Sequence, residues 1–234
     1  MFYLLLFFSC LVTFEDTTDR VSLSFEQGET AKTFSVRTPL KSSGKIIIFN
    51  DESMLGHGSG NYFKSGKHKF ILTAAHVVDH KFNSVIRDGE ELVGLEVLHI
   101  DRMRDIAILA PERELQHIDA KNLRVRRSSD LIGKNVYYSG FPQDMEKCLF
   151  RGFVSKDTDD FLIMQSFALP GSSGSVVFDY WGRAIGVVSA VKVGFTGMSP
   201  FPELVETAVI VQKIGFIDHG FIKELFLNDR PSAL

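Results

Sequence analysis

Short runs of apolar and β-branched residues follow one another along this chain with turn residues between them, and few folds accommodate that rhythm. Residues 45–49 hold three consecutive isoleucines and read as a strand buried on both faces. Further strand-like runs cover 69–73, 92–100, 106–109, 135–139, 148–155, 161–165, 175–178, 184–190 and 207–211. Nearer the start, Val21, Leu23 and Phe25 alternate with polar neighbours, as do Phe34 and Val36. That is the period of a half-buried strand. Asp88-Gly89, Gly140-Phe141-Pro142, residues 157–160 and Trp181-Gly182 supply turns. Many short strands at close spacing predict an all-β fold, either a sandwich or a pair of barrels. Helical spacing is confined to the end, where Phe216, Ile217, Phe221, Ile222 and Leu225 recur until residues 228–231 stop the pattern.

Composition removes several functions. A formal net charge of −3 over 234 residues supplies no broad basic field, so a nucleic-acid partner is not expected. The short basic stretch 124–127 reads as a solvated linker or an edge strand. Two cysteines, Cys10 and Cys148, are too few for a disulfide scaffold, so an apolar core must hold the fold. Residues 1–14 are almost uninterruptedly apolar, short of the roughly 17–25 residues that a bilayer-crossing helix needs. Their length suits the apolar region of a signal peptide, although no Lys or Arg precedes them and no clean cleavage site follows. The expectation is a targeting or anchor segment over 1–17, with membrane association through 1–14. The protein is then secreted or membrane-associated; a cytoplasmic location is the alternative. The polar stretch 112–121 separates a first unit, 18–113, from a second, 114–214, and a helix with a tail follows over 215–234.

Three segments carry residues with chemistry. In the first, a strand ends in Thr73-Ala74-Ala75-His76, where small residues leave room beside the imidazole. Alone, such a histidine is either structural or catalytic. In the second, Asp105 opens the apolar run Ile106-Ala107-Ile108-Leu109, so its carboxylate sits at the edge of a buried strand. It is either a turn aspartate or a buried carboxylate that needs a donor, for which an imidazole N–H is suitable. Asp101, four residues earlier, reads as a turn residue. In the third, Pro170-Gly171-Ser172-Ser173-Gly174-Ser175 leads into a strand. Its glycines let the main chain bend around Ser173 and gather N–H groups beside a hydroxyl, which is what an oxyanion site requires.

Together the three blocks resemble the signature blocks of the trypsin-like, chymotrypsin-fold serine proteases. In that family T-A-A-H carries the base, an aspartate before an aliphatic strand orients it, and G-x-S-G carries the nucleophile. The order along the chain is also the family's. Gly58-Ser59-Gly60 is similar to the hairpin before the histidine, Gly140-Phe141-Pro142 to a turn of the bacterial branch, and Gly186-Val187-Val188-Ser189-Ala190-Val191 to the cleft-lining strand. The match covers about residues 40–215 and fits best the HtrA-type protease domain. About 20 residues remain after the second unit, too few for the PDZ domain that HtrA proteases carry.

The resemblance implies two packed six-stranded antiparallel β-barrels with a short C-terminal helix. It implies a serine endopeptidase working through an acyl-enzyme, with a polypeptide substrate and neither metal nor cofactor. Residue by residue, Ser173 is the nucleophile, His76 the base and Asp105 its orienting partner. Gly171 and Ser173 supply the oxyanion N–H groups, Ser189 bonds Asp105, and residues 189–191 pair with the substrate backbone. Phe167 takes the floor of the primary specificity pocket, with Val188, Ala190 and Val191 around it, which implies cleavage after small or aliphatic residues. Ser172 stands where the digestive enzymes carry an aspartate that captures a new N-terminus, so activation by that ion pair is not expected.

Rival chemistries fit less well. An α/β-hydrolase needs the order Ser, Asp, His, and only His219 follows Ser173. A zinc site of the H-E-x-x-H kind would use His76 and His80, but Val77 replaces the glutamate. Serine at position 173 excludes a cysteine protease of the same fold. The remaining alternative is a catalytically inactive, protease-like binding module.

Overall fold

The computed structural model describes residues 37–50, 53–78, 82–127, 130–194 and 203–228. The first barrel is built from β1 (Ser43–Phe49), β2 (Met54–Ser65), β3 (His68–Thr73), β4 (Asn83–Asp88), β5 (Glu91–Asp101) and β6 (Ile106–Pro111). They pair in the order β1-β4-β5-β6-β3-β2, and β2 returns to β1 to close the ring. A two-residue strand, β7 (Lys121–Asn122), adds to β2 in parallel. The second barrel comprises β8 (Asn135–Gly140), β9 (Cys148–Asp157), β10 (Phe161–Gln165), β11 (Val176–Asp179), β12 (Ala184–Gly194) and β13 (Glu203–Lys213), closed in the order β10-β13-β12-β11-β8-β9. Two antiparallel six-stranded barrels with a short C-terminal helix are therefore present, as the resemblance implied. Closure leaves neither sheet with a long unpaired edge.

Helix α2 (His219–Asn228) follows a cap in which the Asp218 carboxylate accepts the Phe221 N–H at 2.8 Å. Ile217 and Ile222 are buried in the first barrel's core, and Phe216, Phe221 and Leu225 pack against it. No helix among the described residues is long and apolar enough to cross a membrane. The apolar segment 1–17 and the alternating runs at 21–25 and 33–36 lie outside the described residues. The described chain opens with a one-and-a-half-turn helix, α1 (Arg37–Ser42).

Two of the barrel strands escaped the sequence reading, for different reasons, as did the two-residue β7. β4, Asn-Ser-Val-Ile-Arg-Asp, offers only two apolar residues. β2 is diluted by Gly56, Gly58 and Gly60, and these glycines reflect close approach rather than a turn. A Cβ at Gly60 would lie 2.7 Å from Ile71, and one at Gly58 would lie 2.6 Å from Val77. The basic stretch 124–127 forms an edge: Val125 bridges to Ala184 of β12, and the Arg126 N–H donates to the Ala184 carbonyl at 2.9 Å. The Arg126 side chain is buried against Asp179 at 3.2 Å.

Where the barrels meet, the Phe63 and Phe178 rings pack with centroids 6.0 Å apart beside a set of buried polar side chains. Ser42, Ser43, Ser59, Asn61, Thr73, Ser139 and Ser175 are all fully buried. The Ser43 and Ser139 hydroxyls lie 3.1 Å apart across the seam. Asn61 on β2 donates to the Ser42 hydroxyl at 2.8 Å and accepts the N–H of Val176 on β11 at 2.9 Å. A buried donor stripped of its acceptor loses its desolvation cost uncompensated. Asn61→Ala should therefore cost about 1–3 kcal/mol, read as a lower urea midpoint at unchanged slope. An unchanged midpoint would show that this seam contributes nothing to stability.

Candidate active site

The first barrel carries His76 and Asp105, and the second carries Ser173 and Ser189, whose hydroxyl reaches Asp105. β3 ends at Thr73, Ala74 is extended, and residues 75–77 form a single 3₁₀ turn. Ala74, Ala75, Val77 and Val78 are buried, so the turn directs only the His76 ring outward, where it is about half exposed. Asp105 closes the loop between β5 and β6. Asp101 shapes that loop by accepting the N–H groups of Met103 and Arg104 at 3.0 and 2.9 Å and pairing with the Arg104 guanidinium. Asp105 itself adopts φ +51°, a left-handed conformation that Asp and Asn tolerate better than other side chains.

Three donors converge on Asp105. Its Oδ1 accepts the His76 backbone N–H at 2.9 Å, and its Oδ2 lies 2.8 Å from His76 Nδ1. The Ser189 hydroxyl also donates to Oδ2. An ionised carboxylate only accepts, so His76 Nδ1 carries the proton and Nε2 is left as an acceptor. Burial works against the charge on Asp105. The hydrogen bonds from the His76 ring, the Ser189 hydroxyl and the His76 N–H outweigh it and hold the carboxyl below the usual carboxylate range.

Ser189 reaches Asp105 through a β-bulge. Val188 faces Val211 and Ala190 faces Ile210, so β12 carries one unpaired residue between them. That extra residue is Ser189, and bulges re-aim side chains in this way beside sites. Sequence periodicity gives no sign of a bulge.

Ser173 lies half-buried on the turn from β10 to β11. Ser172 N–H donates to the Leu169 carbonyl at 2.9 Å, and Ser175 N–H to the Ser172 carbonyl at 3.1 Å. Gly171 and Gly174 have φ of +93° and +87°, and neither site has room for a side chain. A Cβ at Gly174 would fall 2.1 Å from the Ser59 carbonyl oxygen, and one at Gly171 would fall 2.3 Å from that of Phe141. The first barrel grips this turn directly. Ser59 N–H donates to the Ser173 carbonyl at 2.8 Å, and the Ser59 hydroxyl donates to the Gly171 carbonyl at 2.7 Å. Among the described residues the N–H groups of Gly171 and Ser173 have no acceptor, so both are available to a bound group.

The residues expected around the specificity pocket are less uniformly placed. Phe167 is 52% exposed, with its ring 6.2 Å from that of Phe150. Ala190 is exposed and Val191 half-buried. Val188 is not brought to the surface: it is 2% exposed and belongs to the second barrel's core. Two side chains beside the serine turn were not anticipated. The His57 ring stands behind Gly171, with Nε2 3.0 Å from the Phe141 carbonyl oxygen, and the Tyr138 hydroxyl donates to the Phe167 carbonyl.

A cavity of about 400 Å³ has Arg104, Arg126, Lys213 and Phe216 in its walls, and none of His76, Asp105 or Ser173 lines it. Its cations already face carboxylates, Arg104 with Asp101, Arg126 with Asp179 and Lys213 with Asp157. It reads as an ion-pair network.

Comparison with known proteins bears on the family and the fold. The model of the trypsin-like peptidase domain matches residues 58–187. The HtrA-like serine proteases of Staphylococcus aureus strains USA300 and N315 are each 30% identical over 155 residues, which cover 57% of this chain and 20% of theirs. The chain thus spans about one fifth of the length of these relatives. The crystal structure of the serine endoprotease from Yersinia pestis superposes with a TM-score of 0.64 at 16% identity, covering 83% of this chain and 66% of that one. At that identity the likeness is one of fold.

The Asp105 hydrogen bonds fix a pH dependence. A depressed folded pKa stabilises the protein above the unfolded carboxyl value, about 3.9, and that stability is lost as pH falls through the folded value. Ser189→Ala removes one donor and raises the folded value toward the unfolded one. Melting temperatures across the acid range should therefore show Ser189→Ala below wild type near neutrality, with the gap closing as pH falls below the unfolded carboxyl value, about 3.9. A gap of constant size down to low pH would contradict this assignment.

Proposed function

The chain belongs to the trypsin-like peptidase domain family, and on that premise we propose that it is a serine endopeptidase acting through an acyl-enzyme. The observation that carries the reading is the double hold of Asp105 on His76, which leaves Nε2 an acceptor, together with a serine turn whose Gly171 and Ser173 N–H groups are unpaired among the described residues. In this reading His76 Nε2 takes the proton of Ser173 as its Oγ attacks the scissile carbonyl. The Gly171 and Ser173 N–H groups receive the developing oxyanion, and Asp105 stabilises the imidazolium. His76 then protonates the leaving amine, and water repeats the sequence on the acyl-enzyme.

A substrate backbone pairs along 189–191 as an added strand. Phe167 offers no charge to a Lys or Arg side chain, and the Val191 side chain narrows the approach. The preference follows: cleavage after Val, Ala, Ile or Leu. It is modest, because one methylene in an apolar pocket is worth only about 1–3 kcal/mol.

Ser173→Ala and His76→Ala should each lower kcat by several orders of magnitude in a folded protein. Asp105→Asn, which tolerates φ +51°, should lose about 10⁴-fold by favouring the wrong tautomer. Activity surviving Ser173→Ala would sink the assignment. A peptide-library digest should be dominated by cuts after aliphatic residues, and Val191→Gly should move preference toward Phe and Tyr. A digest dominated by Lys and Arg would overturn the pocket.

A further inference from the structure

We infer that Tyr138 is a positioning residue for the oxyanion site, its buried hydroxyl latching the 167–173 turn so that the Gly171 and Ser173 N–H groups point at one place. The inference rests on the serine-peptidase reading and goes beyond it by assigning what holds the serine turn from below.

Tyr138 sits in the middle of β8 with no exposure. Its strand pairs with β9 and β11, and its ring stacks on Phe150 with centroids 4.8 Å apart. The hydroxyl is therefore placed by a rigid barrel wall. Two groups of the turn meet it: the Phe167 carbonyl, which accepts its proton, and the Ser172 hydroxyl. Ser172 is almost fully buried, and its Oγ accepts the Leu169 N–H at 3.4 Å. Leu169 N–H donates to Ser172 Oγ within the turn, and Tyr138 O–H donates to the Phe167 carbonyl at its start.

The latch completes a set of three anchors. The Gln143 N–H holds the Pro170 carbonyl at 2.7 Å, and the Ser59 hydroxyl holds the Gly171 carbonyl. In a trans peptide the N–H points opposite to the carbonyl, so gripping the Pro170 carbonyl aims the Gly171 N–H. Those two grips act on the top of the turn, and Tyr138 fixes its base at Phe167. Burial pushes the Tyr138 hydroxyl well up from its ordinary value, which keeps it a donor at any working pH. The latch is neutral and internal, so it draws on no charged chain end.

Tyr138→Phe keeps the ring and removes the latch. It is tested with wild type by peptide hydrolysis and by ¹⁹F NMR titration of a peptidyl trifluoromethyl ketone, whose hemiketal oxyanion reports the oxyanion site. The expected result is a kcat roughly tenfold lower or more at similar KM, with a raised hemiketal pKa and a retained melting transition. Ser172→Ala should move the same readouts in the same direction, and it carries the test should Tyr138→Phe not fold. Wild-type kcat and hemiketal pKa in the folded variant would overturn the latch. So would a fall in kcat with an unmoved hemiketal pKa, which marks a merely structural role. In both cases wild type still hydrolyses peptides and the peptidase reading stands. A wild-type protein that neither hydrolyses peptides nor forms the hemiketal refutes that reading, and the latch falls with it.

Discussion

Ser59 binds the turn that carries Ser173 through two opposed groups, its N–H to the Ser173 carbonyl and its hydroxyl to the Gly171 carbonyl, and the same hydroxyl accepts the Phe141 N–H at 3.1 Å. Its own carbonyl takes the Thr73 hydroxyl at 2.7 Å. One buried residue of β2 thus fixes the serine turn of the second barrel against the end of the strand that presents His76. The site requires this, because His76 and Asp105 come from one barrel while Ser173 and Ser189 come from the other. Hydrogen bonds in a buried seam are stronger and more directional than in water. They tie specific groups of the two barrels to one another, a directional constraint that apolar contact does not supply. The glycines follow from the same demand. Gly174 lies where the Ser59 carbonyl of the first barrel approaches too closely for a Cβ, while Gly171 is closed in by the Phe141 carbonyl and the His57 ring, and Gly58 by the Val77 side chain.

Electrostatics at the site are arranged around one partly buried carboxylate. Three donors hold Asp105, and they come from separate elements: the turn after β3, which supplies both the His76 ring and its backbone N–H, and the bulge of β12, which supplies Ser189. The aspartate is therefore a second tie between the barrels. Its left-handed backbone stores a modest strain that the three hydrogen bonds offset, in keeping with strained residues gathering at sites whose surroundings over-determine them.

Much of this was legible in the sequence because it is local. Thr73-Ala74-Ala75-His76, Asp105 before four apolar residues and the Gly171–Ser175 turn each state their conformation within a few residues, and their order selects the fold. The long β-branched runs gave ten of the barrel strands directly. β2 was hidden because its glycines answer to neighbours distant in the chain, and β4 because polar Ser84 and Asp88 share its buried face with Ile86. The bulge at Ser189 and the hydroxyl of Tyr138 were hidden for the same reason: both depend on strand register, which no local pattern encodes. Val188 shows the converse error. Alignment by resemblance put it in the pocket, whereas strand alternation buries it in the barrel core.

The central claim is that Ser173 is an activated nucleophile. The most direct measurement is reaction of the folded protein with a fluorophosphonate, followed by mass spectrometry of the digested adduct. The account predicts one phosphonyl group per chain, carried on Ser173, with labelling abolished by His76→Ala. A folded protein that remains unlabelled, or an adduct on Ser172 or Ser175, would contradict it.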